Sequence, residues 1–329
     1  MFVNTLKNNV QTSIVTLLIL SFCLWILSFL FKEVVLIGHS EQTHILLNSL
    51  FINQSSFWLK KIIIFCSITF GAIMVNFLAI NEEITSKTNY LPAFLYLLFG
   101  FSTTVNSAIE PLLIANLCFI PALFFMMSSY RQETALSTFF KTGLCLGLSC
   151  FFYSYYILVL PVAYISLAII RSFNWREWLM LLIGFFTSFH IYGCICYLKG
   201  EPLFKAFKII TESLANAQSP LVSEYYLFFL IVLAFVFVFA IFHYINKGFG
   251  NKIKTINNKY ILLWLLLFLL MAIFYSQHTH MLFMPYAIVL SILLGDYLSE
   301  IKQLKVANTL LFLIIVGFSL VYCHALGFL

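Results

Sequence analysis

The sequence predicts an all-α membrane protein, a polytopic transmembrane bundle of about eleven spans, and three observations carry that prediction. Of its 329 residues, 62% are hydrophobic and only 9% charged, and the mean hydropathy is +1.01. Apolar runs of about twenty residues recur from end to end, long enough to cross a hydrocarbon layer as helices. The runs are continuously apolar rather than alternating. Backbone groups in a bilayer must bond within the segment or in a closed barrel, and the missing alternation excludes the barrel.

Taken in order, the spans fall at 12–31, 60–80, 90–105, 109–127, 140–154, 156–170, 177–197, 225–246, 259–275, 279–296 and 305–325. The first, "SIVTLLILSFCLWILSFLF", exceeds a signal-peptide core and lacks a small-residue cleavage pattern, so it reads as a retained span. Residues 1–329 then form one transmembrane domain. Most cysteines lie inside apolar runs, where a thiol behaves as a small apolar filler. The Cys194-x-Cys196 pair near a span end reads the same way. The fifth and sixth spans share "KTGLCLGLSCFFYSYYILVLPVAYISLAIIR", which is short for two crossings. A break is therefore expected near Tyr153–Tyr156, bordering a cavity where the freed backbone groups find partners.

Orientation follows from lysine and arginine alone. With the N-terminus in the cytoplasm and the C-terminus outside, inner segments hold 12 of the 18 basic residues, among them Lys7, Arg171, Arg176, Lys252, Lys254 and Lys259. The outer segments hold 6, including Lys32, Lys60 and Lys61. Merging the fifth and sixth spans into one helix narrows the asymmetry. The net charge of +6 comes from these loops, so no nucleic-acid partner is expected; the partner is membrane lipid.

Two outer loops, 32–59 and 198–224, are each long enough for a helix lying in the interface plane. In the first, Ile45, Leu46, Leu47, Leu50 and Phe51 group on one side, opposite Asn48, Ser49 and Asn53. Ionisable groups gather at this outer side. Glu33 follows the first span, Glu110 precedes Pro111 at the start of the fourth, and His278 and His280 stand in "YSQHTHMLFMPYAIVL". Such groups at a membrane boundary are costly unless solvated or paired. Each also has a plain explanation: a solvated span end for Glu33, a helix-dipole contact for Glu110, a polar turn for the histidines. On the inner side, "RSFNWREWLMLLIGF" has the Trp-and-Arg composition of an interfacial anchor. The single aspartate, Asp296, also falls inside, while mid-span ionisable residues are nearly absent.

These features together resemble the GT-C superfamily of membrane glycosyltransferases, which use polyprenyl-phosphate-linked sugars. The loop after the first span with Glu33, the acid Glu110 in the second outer loop, the short helices after "GLCLGLS", and "QHTHMLFMPYAIVLSILLGDYL" running into a Pro-containing span carry the likeness. The chain has histidines where that superfamily usually has arginine. The stretch "RSFNWREWLMLLIGFF" is also similar to one in a bacterial family of inner-membrane proteins of similar length, for which no activity is known. The resemblance implies sugar transfer at the outer face of a bacterial inner membrane from a polyprenyl-phosphate donor. Glu33 would be the base and Glu110 a second acid or metal ligand. His278, His280, Lys60 and Lys61 would hold the phosphate. Two glutamates and two histidines are compatible with a divalent metal without fixing its identity. The competing expectations are a non-enzymatic subunit or scaffold of an envelope assembly, and a lipid or solute translocator.

Overall fold

The structure is a computed structural model, and it describes residues 2–8, 10–28, 57–86, 88–103, 111–130, 132–200, 202, 208, 211, 224–247, 252–273, 279–301 and 303–325. For Lys60 and His280 it describes the backbone alone. The described residues are helical, with no strand among them. The helices are α1 (Phe2–Asn8), α2 (Val10–Ser28), α3 (Phe57–Asn81), α4 (Leu91–Thr103), α5 (Pro111–Ser128), α6 (Leu136–Phe152), α7 (Leu160–Ile170), α8 (Trp175–Leu198), α9 (Glu224–Lys247), α10 (Ile253–Ile273), α11 (Thr279–Glu300) and α12 (Leu304–Ala325). A 3₁₀ turn, Ser154–Val159, precedes α7. Every apolar run in the sequence coincides with a helix, and α1 is an addition that the apolar pattern did not announce.

Three helical stretches, Val10–Leu27, Lys61–Asn81 and Trp175–Leu198, are long and apolar enough to cross a bilayer. Several shorter helices are as apolar but fall below a full crossing in their described length. Around the flanks Leu18 and Phe22 of α2, Phe70 and Ile73 of α3, Ile183 of α8 and Phe242 of α9 stand exposed. Water does not tolerate that much contiguous apolar surface on a monomer. The two features mark a membrane protein.

The bundle is built around α4 and α11, which pack along each other. Residues 91–101 and 285–299 are buried on every face, as expected of helices that are apolar all round and lie at a core. Around this pair α3 packs on α4 and α5, α5 on α6, and α6 on α8. On the other side α10 packs on α11 and α7, and α9 on α12 and α11.

The α6–α8 contact is the closest in the bundle. Gly143 and Gly147 on α6, four residues apart, face Gly184 on α8. A Cβ on Gly147 would come within 2.7 Å of both the Phe185 carbonyl and the Ser188 hydroxyl; one on Gly143 would strike the Leu181 carbonyl. Small residues in this spacing let two backbones touch, and in lipid such packing replaces the missing hydrophobic drive. Ser188 Oγ crosses the seam to donate to the Leu144 carbonyl at 2.9 Å.

The chain does break at Tyr153, whose backbone is extended (φ −148°, ψ 106°), before the 3₁₀ turn. The two arms serve different partners, α6 lying between α5 and α8 and α7 against α10. Ser154, Tyr155 and Tyr156 are buried, so the break is covered by protein.

At one end of the bundle α1 clasps three other elements. Val3 and Leu6 are buried, the Val3 amide donates to Asn308 Oδ1 at 3.1 Å, and the Leu6 carbonyl accepts from Tyr90 N at 2.9 Å. Lys7 Nζ donates to the Ser299 carbonyl at 2.6 Å, a cation placed at a helix C-terminus where the dipole favours it.

Two outcomes follow. Gly143→Leu should separate α6 from α8 and lower the thermal midpoint of the detergent-purified protein by several degrees, whereas Leu144→Ala, beside the seam, should cost less. At the turn after α3, burial pushes the Glu82 carboxyl above its usual 4.5 despite Lys254 Nζ at 3.1 Å. The folded protein then binds a proton the unfolded chain does not, so this site gains stability as pH falls from above toward 4.5. Glu82→Gln should remove that part of the pH dependence in thermal melts.

Candidate functional site

Two polar regions stand at opposite ends of the bundle. The first joins the C-terminal ends of α9 and α11 to the start of α10. Lys259 Nζ lies 2.6 Å from Asp296 Oδ2 and 3.9 Å from Glu300 Oε1, with the ammonium 4.6 Å from the Tyr244 ring centre. Tyr244 Oη donates to Asp296 Oδ2 and to the Leu293 carbonyl, both at 3.0 Å. His243 Nε2 is 3.2 Å from Glu300 Oε2. Lys259, Asp296 and Tyr244 are buried, and His243 and Glu300 form the half-exposed rim. Beside it Lys252 pairs with Glu83, and Asn258 Nδ2 donates to the Glu82 carbonyl at 3.1 Å.

A second buried pair holds the α5–α6 and α7–α8 turns together. Glu177, 1% exposed, meets Arg171 Nε at 3.0 Å and accepts from the Ala135 amide at 3.3 Å. Arg171 also donates to the carbonyls of Ser129, Gln132 and Glu133. The "RSFNWREW" stretch therefore does more than the interfacial anchoring its composition predicts, because its acid and first arginine tie two turns together.

Helix direction defines the other end. Phe77 and Phe124, each near the end of its helix, stack at 5.7 Å, so α3 and α5 run the same way. Pro92 at the start of α4 lies against Gly295 near the end of α11, so α11 runs opposite to α4 and alongside α3. The starts of α3, α5 and α11 thus share the end remote from the basic turns, and the three helices pack on one another. Helix N-termini carry partial positive charge. At the start of α3, Lys61 is 1% exposed, and its carbonyl accepts from Trp25 Nε1 at 3.3 Å. An ammonium is tolerated in a protein interior where negative charge accompanies it.

Between the ends, Asn116 of α5 accepts from the Tyr156 hydroxyl at the break. Tyr96 of α4 stands beside Gly71, where a Cβ would lie 2.8 Å from the tyrosine oxygen. Ser154 Oγ and, on α11, Tyr286 Oη are buried with no hydrogen-bond partner among the described residues, as are Thr85 Oγ1, Asn258 Oδ1 and Trp178 Nε1 toward the basic end. His190 is satisfied at Nδ1 by the Phe186 carbonyl at 2.8 Å. Buried polar atoms without partners are few in folded proteins and mark places where water or ligand completes the network.

Of the residues the sequence singled out, Lys61 is the one whose side chain is described. Glu33, Glu110 and His278 lie outside the described residues, as do the side chains of His280 and Lys60. The backbone places Lys60 at the start of α3 and His280 at the start of α11, while Pro111, next to Glu110, opens α5. The outer loops 32–59 and 198–224 are largely outside the description too. Among the described residues no group of three or more His, Cys, Asp or Glu could hold a metal ion. Cys194 and Cys196 are unbridged, one exposed and one buried.

The model of a family of unknown function (DUF6427) matches residues 16–327. The chain belongs to that family. No curated protein and no solved structure matches it. The match begins inside α2 and runs through α12, so the α1 clasp precedes the matched region while both polar ends lie within it.

The basic-end network yields a direct test. Lys259→Met leaves Asp296 buried without its cation and should cost about 3–5 kcal/mol, whereas Lys259→Met with Asp296→Leu should recover most of that loss. Thermal unfolding of both variants in one detergent checks the sign and the ordering.

Proposed function

We propose that the protein is a multi-pass bacterial inner-membrane transferase of GT-C type. It crosses the membrane eleven times with its N-terminus in the cytoplasm, and it takes its donor, a sugar on polyprenyl phosphate, at the outer face. The observation that carries the reading is the shared end of α3, α5 and α11. Three helix starts turn their partial positive charge toward this end, which suits a lipid phosphate. The sequence puts Glu110 one residue before α5 and His278 and His280 on either side of the first residue of α11.

In this reading Lys60, Lys61, His278 and His280 hold the donor phosphate, and each neutral imidazole offers it one hydrogen bond. Glu33 takes the acceptor hydroxyl proton as the bond to the anomeric carbon forms. The phosphate leaves with the bonding electron pair, stabilised by the cations. Glu110 is a second acid near the reacting centre. Ser154 Oγ and Tyr286 Oη below this end offer hydroxyl partners to a polar group held there.

Turnover of polyprenyl-phosphate sugars by the purified full chain tests the reading. Glu33→Gln should abolish transfer while donor binding persists, because shape is kept and the base removed. Replacing His278 and His280 together by alanine should weaken donor use more than stability. Donor binding with no turnover in any form of the chain would favour the scaffold or translocator. Topology is tested separately with single-cysteine probes: a probe at Ser276 should label from outside intact cells and one at Lys252 should not. The reverse pattern would remove the outer-face site.

A further inference from the structure

The turn between α7 and α8 carries side chains that neither the proposed transfer nor the Arg171–Glu177 tie uses. Phe173 is 75% exposed and Trp175 59% exposed, at the start of a helix whose neighbour in the bundle is α6. Trp178 is sandwiched between Tyr164 and Phe173, with ring centres 5.1 and 5.2 Å apart. Its indole Nε1 is a buried donor with no acceptor among the described residues. Arg176 is exposed, and its guanidinium lies 5.7 Å from the Trp175 ring centre. Unlike the neighbouring Arg171, it meets no carboxylate among the described residues. Asn174 caps the helix by accepting from the Arg176 amide at 3.2 Å, which fixes the turn that presents these groups.

The combination is specific in its chemistry. Two exposed aromatic rings at a helix end sit at the depth where lipid headgroups meet the hydrocarbon, since an indole is apolar over its face and polar at its edge. A guanidinium is a planar, permanently charged fork that matches phosphate oxygens. Trp178, packed against Tyr164 and Phe173, backs the exposed rings. A soluble acidic protein would explain the cation but not two apolar rings in the plane of the membrane. A neutral lipid would explain the rings but leave the guanidinium without a counter-charge.

We propose that Phe173, Trp175, Arg176 and Trp178 form a headgroup site for an anionic phospholipid at the basic end of the bundle. The site holds α8 in place from the membrane side, where protein contact is sparse. It is separate from the donor-lipid site at the opposite end and stands whether or not the chain is a transferase.

The test uses the delipidated full chain in a non-ionic detergent, titrated with short-chain phosphatidylglycerol, phosphatidylcholine of the same chain length, or inorganic phosphate. Bound lipid is read by native mass spectrometry. Phosphatidylglycerol should bind best and should raise the thermal midpoint. Arg176→Gln should weaken it about fivefold, the effect of one cation near a headgroup, and Arg176→Lys, which keeps the charge and loses the planar fork, should fall between the two. Trp175→Ala should weaken both lipids. Lys252→Gln, which removes another exposed cation at the same end, should change nothing. Equal binding of the two lipids in the parent protein would overturn the proposal. So would an equal loss in the Lys252 variant, because diffuse surface charge would then account for the binding. Inorganic phosphate binding as tightly as phosphatidylglycerol would overturn the lipid assignment. Arg176 is exposed and meets no carboxylate among the described residues, so these variants are expected to fold, and an unchanged midpoint without lipid verifies it.

Discussion

Burying a charge inside an apolar bundle is the most expensive thing this chain does, and the Lys259–Asp296 pair shows how it manages the cost. An isolated ammonium or carboxylate in a low-dielectric interior would lose its hydration with nothing in return. Here the two charges meet at 2.6 Å, the tyrosine hydroxyl of α9 bonds the carboxylate, and its ring lies against the ammonium. Three helices remote in sequence share one electrostatic contact. Moving any of them exposes a charge to apolar surroundings, so the contact sets their relative heights more sharply than aliphatic packing could. The central helix α11 inherits its position from this contact, and through α11 so does the α4 it lies against.

The Arg171–Glu177 pair applies the same logic to the other half of the bundle. It fastens the turns flanking α6 and α7, while the glycine seam lets α6 and α8 approach to backbone contact. The two devices act on different scales. The ion pair fixes the ends of the helices. The glycines fix their separation along the length. Between them the break at Tyr153 can turn the chain from the α5–α8 group toward α10 without leaving the protein interior, because the freed backbone is covered by the aromatic side chains around it.

How much of this could be read from sequence depends on the range of the forces involved. The helices were legible because each apolar run meets a bilayer constraint by itself, and the Tyr153 break because thirty-odd residues cannot make two full crossings. The short α1 was not legible: seven residues carry no periodic signal, and its helix exists through contacts with Tyr90, Ser299 and Asn308 far along the chain. The Lys259–Asp296 pair was hidden for the same reason, since its members come from different helices. One clue was present. A chain with a single aspartate next to a glycine and a tyrosine in an apolar run is placing an expensive residue deliberately. Reading "WREW" as an anchor took its aromatic composition at face value and missed that its glutamate faces inward, which helical spacing alone does not reveal.

The contrast between the two ends bears on function. At the basic end the buried ionisable groups have found one another, so their chemistry is consumed in holding the bundle together. Lower down from the opposite end, Ser154 and Tyr286 still have hydrogen-bonding capacity among the described residues, and they lie near helices whose starts converge. Open polar atoms also remain toward the basic end, at Thr85 Oγ1, Asn258 Oδ1 and Trp178 Nε1, so the two ends differ in how their charges are paired and not in a complete set of bonds. Unspent donors in the interior have a cost that selection for stability alone would remove, since each can be replaced by an apolar side chain of similar size. The open hydroxyls of Ser154 and Tyr286 therefore matter through where they stand, between the tie points of the basic end and the starts of α3, α5 and α11, inside a frame that the ion pairs keep still.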